Sequence, residues 1–330
     1  MKPERPSYDW QLQEAKRFLE EQDDFLVVAH INPDGDAISS TLAVGWMLKQ
    51  LGKRFVMVNE GKSPDKFDYL WGNSDIADFS VIERKPDFQH VISVDCADYS
   101  RIGQVSSIFG EAPSLLNIDH HPTNDYFGTV QLIRPDAAAT VEILYELAVV
   151  LGIRWEEELA SCIYTGLLTD TGGFRYSNTT PNVMRIASEM LGYGVKGSVL
   201  AEHLLERMTR SHVALLRKAL AQLSFSHEGK IAWIAVSAQD IAEAGASNED
   251  LEGIVNYPRN IEGVEVGILV KEGEGGRFKA SLRSAGKVNV AEIAQRFGGG
   301  GHVRAAGCSF EGTIESVLDK IVKEVGKALV

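Results

Sequence analysis

Phe25-Leu26-Val27-Val28-Ala29-His30-Ile31-Asn32-Pro33-Asp34-Gly35-Asp36 sets an imidazole and two carboxylates directly behind five consecutive apolar residues. An uninterrupted apolar run of this length, with β-branched residues inside it, reads as a strand buried on both faces, as in a parallel sheet. The Asn32-Pro33-Asp34-Gly35 turn ends the strand. Residues 37–51 then place Ile38, Leu42, Gly45, Leu48 and Leu51 three or four positions apart, which predicts a helix. Asp34 and Asp36 fall at its electropositive end. Strand, acid-bearing turn and helix in that order open an α/β unit.

The same order recurs downstream. Apolar runs predict strands over 54–58, 90–94, 115–118 and 128–133, and helical spacing predicts helices over 138–151, 156–168 and from Pro181 to near Gly192. Alternation of this kind predicts a mainly parallel sheet flanked by helices. Acidic and imidazole residues stand near the ends of these apolar runs: Asp95 after Val91-Ile92-Ser93-Val94, Asp119-His120-His121 after Leu115-Leu116-Asn117-Ile118, and Asp170 after Gly166-Leu167-Leu168-Thr169. Asp170 is expected in a loop rich in Thr and Gly, at a fourth strand end. Side chains leaving successive strand ends converge in space even when far apart in sequence. Each acid alone is compatible with a turn, a cap or a buried acceptor, but four such sites together point to metal ligation. His30, Asp34, Asp36, Asp95, His120 and Asp170 offer carboxylate oxygens and imidazole nitrogens with no thiolate, a set suited to Mn²⁺ or Mg²⁺ rather than structural zinc. Two ions sharing a carboxylate make a nucleophile of water near neutral pH.

The Gly192-Tyr193-Gly194-Val195-Lys196-Gly197 stretch breaks the periodicity and predicts a boundary. The expected organisation is a catalytic domain over 1–192, a hinge and connector helix over 193–223, and a smaller α/β domain over 224–330, the two domains facing each other across a cleft. The smaller domain is expected to hold strands at 231–236, 264–270 and 278–282 and a helix over 290–297. From Gly275 to Phe310, Arg277, Lys279, Arg283, Lys287, Arg296 and Arg304 face a single acid, Glu292. Within this basic stretch lie Gly298, Gly299, Gly300, Gly301 and His302. Backbone N–H groups in a run without Cβ atoms can approach a phosphate closely, and Arg283 brings a planar fork suited to bidentate contact.

A formal charge of -13 over 330 residues argues against a groove for long duplex nucleic acid, which draws on many cationic phosphate contacts. Short anionic ligands remain compatible. Three cysteines far apart, Cys96, Cys162 and Cys308, fit a reducing cytoplasm and buried thiols. No apolar stretch approaches the roughly 20 residues of a membrane span, and the polar start Met1-Lys2-Pro3-Glu4-Arg5-Pro6 lacks a secretory apolar core.

Four segments now carry a resemblance: Val28 through Ala37, Val94-Asp95, Asp119-His120-His121, and Leu168-Thr169-Asp170-Thr171-Gly172 resemble the four motifs of the DHH phosphoesterases. Gly298 through His302, followed by Ala305-Ala306-Gly307, resembles the glycine-rich signature of the DHHA1 domain. In length and layout the chain is most similar to the group that trims very short RNAs and removes the 3′-phosphate of adenosine 3′,5′-bisphosphate (pAp).

That resemblance implies two divalent cations, Mn²⁺ before Mg²⁺ or Co²⁺. His30 and Asp34 would hold one, Asp36, His120 and Asp170 the other, and Asp95 would bridge them. It implies that Asp119 orients His120 through a hydrogen bond and that His121 meets the substrate phosphate. Asp95, Asp119, His120 and His121 are thus the expected catalytic residues. Arg283, Gly298 to Gly301 and His302 are the expected substrate-binding residues. Expected partners are short RNA, pAp or dinucleotides, and a second copy of the chain in a homodimer. Alternative activities on the same site are hydrolysis of linear or cyclic dinucleotides, exopolyphosphatase action, and a catalytically silent nucleotide sensor.

Overall fold

The computed structural model describes residues 6–82, 87–273 and 276–329; Met1 to Arg5 of the polar start and Gly275 of the basic stretch lie outside them. The chain divides into two compact units, Met1–Arg207 and Met208–Val330.

The first unit opens with helix α1 (Tyr8–Glu21), started by the Ser7 hydroxyl, which accepts from the Trp10 N–H. Then follow β1 (Phe25–Val28), α2 (Gly35–Gln50), β2 (Phe55–Asn59), β3 (Ile76–Asp78), β4 (Phe88–Val94), β5 (Phe109–Asp119), β6 (Val130–Ile133), α3 (Thr140–Leu151), α4 (Glu157–Asp170), α5 (Pro181–Gly192) and the short α6 (Gly197–Ala201). The strands form a six-stranded sheet in the order β3-β2-β1-β4-β5-β6, parallel at every pairing. All four residues of β1 are buried, as the apolar run requires of a strand covered on both faces. Helix α2 is buried almost throughout, so its small residues are packing surfaces: a Cβ at Gly45 would meet the Met57 sulfur at 2.8 Å. The α/β class, the parallel sheet and its flanking helices stand as the apolar runs predict.

The Gly192–Gly197 turn lies inside this first unit. Val195 and Leu200 are buried in its core, and a Cβ at Gly197 would collide with the Tyr164 ring. The predicted continuous connector from 198 to 223 is interrupted. A π turn over Glu202–Glu206 follows α6, Arg207 adopts extended backbone, and α7 (Arg210–Ala221) starts afresh with Thr209 accepting from the His212 N–H. A threonine that satisfies the orphan N–H groups of a new helix stabilises a start there over continuation.

The second unit contains α7, β7 (Ser224–Ser226), β8 (Ile231–Val236), α8 (Ala238–Ala244), α9 (Asn256–Arg259), β9 (Val266–Glu272), β10 (Arg277–Ser284), α10 (Val290–Gln295), β11 (Gly300–His302), β12 (Ala305–Glu311) and α11 (Ile314–Lys327). Its sheet runs β11-β12-β10-β9-β8-β7, parallel only between β8 and β9. Helix α11 covers it with Val317, Ile321 and Val325, one face at four-residue spacing. No helix among the described residues is long and apolar enough to cross a membrane.

Candidate active site

The strand order reverses between β1 and β4, so connections leaving their C-terminal ends diverge and open a crevice. His30 leaves β1, Asp95 leaves β4, and Asp119 ends β5 with His120 and His121 behind it. From the helix layer, α2 supplies Asp34 and Asp36. The Asp34 carboxylate is the N-cap of α2, accepting from the N–H groups of Asp36 at 3.1 Å and Ala37 at 3.2 Å. Asp170 corrects its expected placement: α4 continues to it, so it sits on the last helical turn and not at a strand end. The Thr171 hydroxyl, bonded 2.6 Å from the Leu167 carbonyl, extends that helical end.

The six expected ligands fall into two clusters. His30, Asp34 and Asp95 bring ligand atoms within 4.8 Å of one another, and so do Asp36, His120 and Asp170. Asp95 stands between them: its Oδ2 faces His30 Nε2 at 3.5 Å, while its Oδ1 faces His120 Nε2 at 3.6 Å. His120 Nε2 lies 3.5 Å from Asp170 Oδ2. Such separations exceed good hydrogen bonds and match donor atoms placed around a shared cation at about 2.1 Å. Asp95 takes a left-handed backbone conformation, φ 55°, which turns its side chain into the crevice at a local conformational cost.

The electrostatics argue for the same occupant. Burial, then the charges of Asp95 and Asp170, push the Asp36 carboxyl well above the usual carboxylate range; burial, then Asp34 and Asp95, do the same to Asp170. Burial opposes ionisation of Asp95 too, but the surrounding imidazoles outweigh it and hold its carboxyl below the usual range. Burial disfavours the charged forms of His30 and His120, yet the facing carboxylates raise both on balance. Carboxylates this crowded lack positive charge, which a divalent cation would provide. The one nearby thiol is no competitor: burial pushes Cys96 up to about 12, and its Sγ donates to the Asp98 carbonyl. An oxygen and imidazole donor set without thiolate fits Mn²⁺ or Mg²⁺.

The expected Asp119–His120 bond is corrected. Asp119 Oδ1 accepts from His121 Nδ1 at 2.7 Å, and its Oδ2 accepts from the Asn124 amide at 2.6 Å. His120 Nδ1 instead faces the Ala137 carbonyl at 3.2 Å. Both rings face Asp95 Oδ1, His120 through Nε2 at 3.6 Å and His121 through Nδ1 at 3.7 Å, so the two histidines differ in which nitrogen they turn to the carboxylates. Asn124, Ala137 and Thr140 belong to this neighbourhood and carry no signal in hydrophobic periodicity. Only their proximity to the histidine and aspartate motifs in the folded chain identifies them.

Packing leaves the clusters little slack. A Cβ at Gly166 of α4 would meet Val141 at 2.6 Å and Asp36 Oδ1 at 2.7 Å. Gly166→Ala is expected to cost about 1–3 kcal/mol by overpacking and to displace Asp36. Urea unfolding and divalent-cation titration check this; wild-type values in both would show that the helices give way freely.

In the second unit, half of the glycine run is strand. Gly300, Gly301 and His302 pair with Gly307, Ala306 and Ala305. Gly298 and Gly301 have φ of 73° and 139°, and Gly299 packs against the Gly307 backbone, so the hairpin itself requires three of the four glycines. Gly300 differs: nothing lies within 4 Å of a Cβ built there, and its φ is not in the left-handed region. Arg283 pairs with Ala305 on its other side, which sets Arg283 and His302 in one row across β10, β12 and β11, on the same face of the sheet.

The family model for the DHH family, N-terminal domain, matches residues 24–167, and that for the DHHA1 domain matches 228–330. A bifunctional oligoribonuclease and PAP phosphatase of Thermus thermophilus is 37% identical over 308 residues, covering 92% of this chain and 90% of that protein. The bifunctional oligoribonuclease and PAP phosphatase of Bacillus subtilis is 26% identical over 299 residues, covering 90% and 92%. An exopolyphosphatase-related protein of Bacteroides fragilis has a solved structure that superposes with a TM-score of 0.86 at 26% identity, over 97% of this chain and 96% of that one.

Proposed function

The chain belongs to the DHH family and carries its DHHA1 domain, and from that premise we propose that it hydrolyses phosphoric esters of short oligoribonucleotides and of pAp. The observation that carries the reading is Asp95, with one carboxylate oxygen turned towards each of two ligand clusters. His30 and Asp34 would hold one cation, Asp36, His120 and Asp170 the other, with Asp95 shared. Mn²⁺ is the proposed occupant. Bound there, two such ions would polarise phosphoryl oxygens and lower the pKa of water to near neutrality.

The protein's own groups do the rest. Asp119 accepts a hydrogen bond from the Nδ1–H of His121 and thereby fixes that ring. Burial opposes the charged form of His121, but the Asp119 bond and the Asp95 charge outweigh burial and raise its pKa. With Nδ1 turned to Asp119, the Nε2 side of the ring would meet a phosphoryl oxygen, where negative charge grows in the transition state. In the second unit, the row of Arg283 and His302 with the N–H of Gly300 would bind an anionic group of a nucleotide. The basic stretch from 277 to 304 in a chain of net charge -13 suits a short anion better than a polymer. A homodimer and a cytoplasmic site of action complete the proposal.

The test is purified protein with Mn²⁺ against pAp, dinucleotides, a short RNA, a long RNA, cyclic dinucleotides and pyrophosphate. Turnover concentrated on pAp and short RNAs is expected. Action on long RNA or pyrophosphate with none on pAp and short RNA refutes the assignment. Arg283→Ala should raise KM about tenfold or more with kcat nearly unchanged, as for a group that binds ground state and transition state alike; a selective loss of kcat would contradict that role.

A further inference from the structure

The segment Ala137–Val141, which leads from β6 into the first turn of α3, touches ligands of both clusters. The Thr140 N–H donates to Asp36 Oδ2 at 2.6 Å and the Val141 N–H to Asp36 Oδ1 at 3.2 Å. Asp36 therefore caps α3 from another helix, since Ala139, at the N-cap position, contributes no side-chain bond. The Thr140 hydroxyl donates to Asp95 Oδ1 at 2.9 Å. Thus one fully buried residue is bonded to a carboxylate of each cluster.

Position matters here because the final torsion of an aspartate is soft, and the carboxylate plane is set by its partners. Asp95 is useful as a shared ligand only if one oxygen faces each cluster. The Thr140 hydroxyl, shielded from competing water, holds Oδ1 on the side of His120 and leaves Oδ2 on the side of His30. The same residue's N–H fixes Asp36, whose distance from Asp95 is thereby tied to one rigid helix end. We propose that Thr140 is a positioning residue that sets the spacing of the two ion sites through Asp95 and Asp36, an inference that rests on the two-ion reading above.

Thr140→Val keeps the β-branched shape and the backbone N–H but removes the hydroxyl; Thr140→Ser restores the hydroxyl without the methyl. Mn²⁺ titration of the full-length protein, followed by electron paramagnetic resonance, reports occupancy from the loss of free-ion signal and pairing from the spin-coupled signal. The wild type is expected to take up a coupled pair. Thr140→Val should hold the second ion roughly 10- to 100-fold more weakly, with the coupled signal altered, because groups that orient metal ligands contribute on that scale. Thr140→Ser should recover wild-type behaviour. Wild-type affinity and coupling in Thr140→Val overturn the proposal, as does a Thr140→Ser protein that stays as weak as Thr140→Val while both keep the wild-type circular dichroism. A wild type that never shows a coupled pair refutes the two-ion reading itself, an outcome separate from any difference between the variants.

Discussion

Asp95→Asn is expected to remain folded and to lose about a thousandfold in turnover. Asparagine matches aspartate in shape and tolerates the left-handed conformation found at this position, φ 55°, so the backbone strain that alanine would add is avoided. What disappears is the negative charge between His30, His120 and His121. An amide also presents one oxygen and one NH₂ group, so it cannot offer an acceptor to both clusters. Losing several kcal/mol of transition-state stabilisation corresponds to roughly a thousandfold in rate. Steady-state kinetics on pAp with saturating Mn²⁺, beside a thermal melt, measure both halves. Turnover within about tenfold of wild type in a folded variant would remove Asp95 from the shared position and with it the two-ion arrangement.

Removal of divalent cations is expected to abolish activity and to lower the melting temperature, by more at alkaline than at acid pH. In the ion-free protein the folded-state carboxyls of Asp36 and Asp170 lie well above the ordinary value, through burial first and neighbouring carboxylates second. The folded form then retains protons that the unfolded form has released, so stability is present at low pH and is lost as pH rises through the raised folded values. His30 and His120, also raised on balance, act with the same sign. Asp95, held low, loses its contribution only under strong acid and does not oppose the trend. A cation replaces the missing positive charge, and its affinity grows with pH because its ligands must be deprotonated. At about 100-fold above its dissociation constant a bound ion stabilises by about 2.7 kcal/mol. For a unit of this size that is a shift of about 5–10 °C. Melting curves at about pH 5 and pH 8, with chelator and with Mn²⁺, should show the larger shift at the higher pH. Equal shifts, or none, would mean that the carboxylate crowd is not what the ion relieves.

The predicted strand at 231–236 coincides with β8, and the predicted strands of the first unit fall on β1, β2, β4, β5 and β6 within a few residues, apart from an early extension of β5 back to Phe109. Buried strands announce themselves because most of their buried residues are apolar, even though Ser93 and Asn117 are buried polar positions within them. Strand β12 did not: Ala305-Ala306-Gly307 has no bulk to show alternation and becomes a strand by pairing with β10. Helix α11 sets Val317, Ile321 and Val325 at four-residue spacing among charged residues, an amphipathic face that is visible in the sequence. The candidate ligands were legible as residue types behind apolar runs. Their grouping into two sets of three, each with ligand atoms within 4.8 Å, was not, since it depends on the order β1-β4-β5 and on α4 reaching Asp170.

The order of residues by itself determined the α/β class, the parallel sheet and the acidic strand ends, because apolar period and turn chemistry are properties of neighbours along the chain. The tertiary structure alone decided that Asp119 serves His121 and not His120, that Asp36 caps α3 from another helix, and that Thr140 bridges Asp36 and Asp95. Each of those contacts is a hydrogen bond whose existence turns on a few tenths of an ångström and on direction, and residues 104 and 45 positions apart acquire such geometry only when their helices and strands pack.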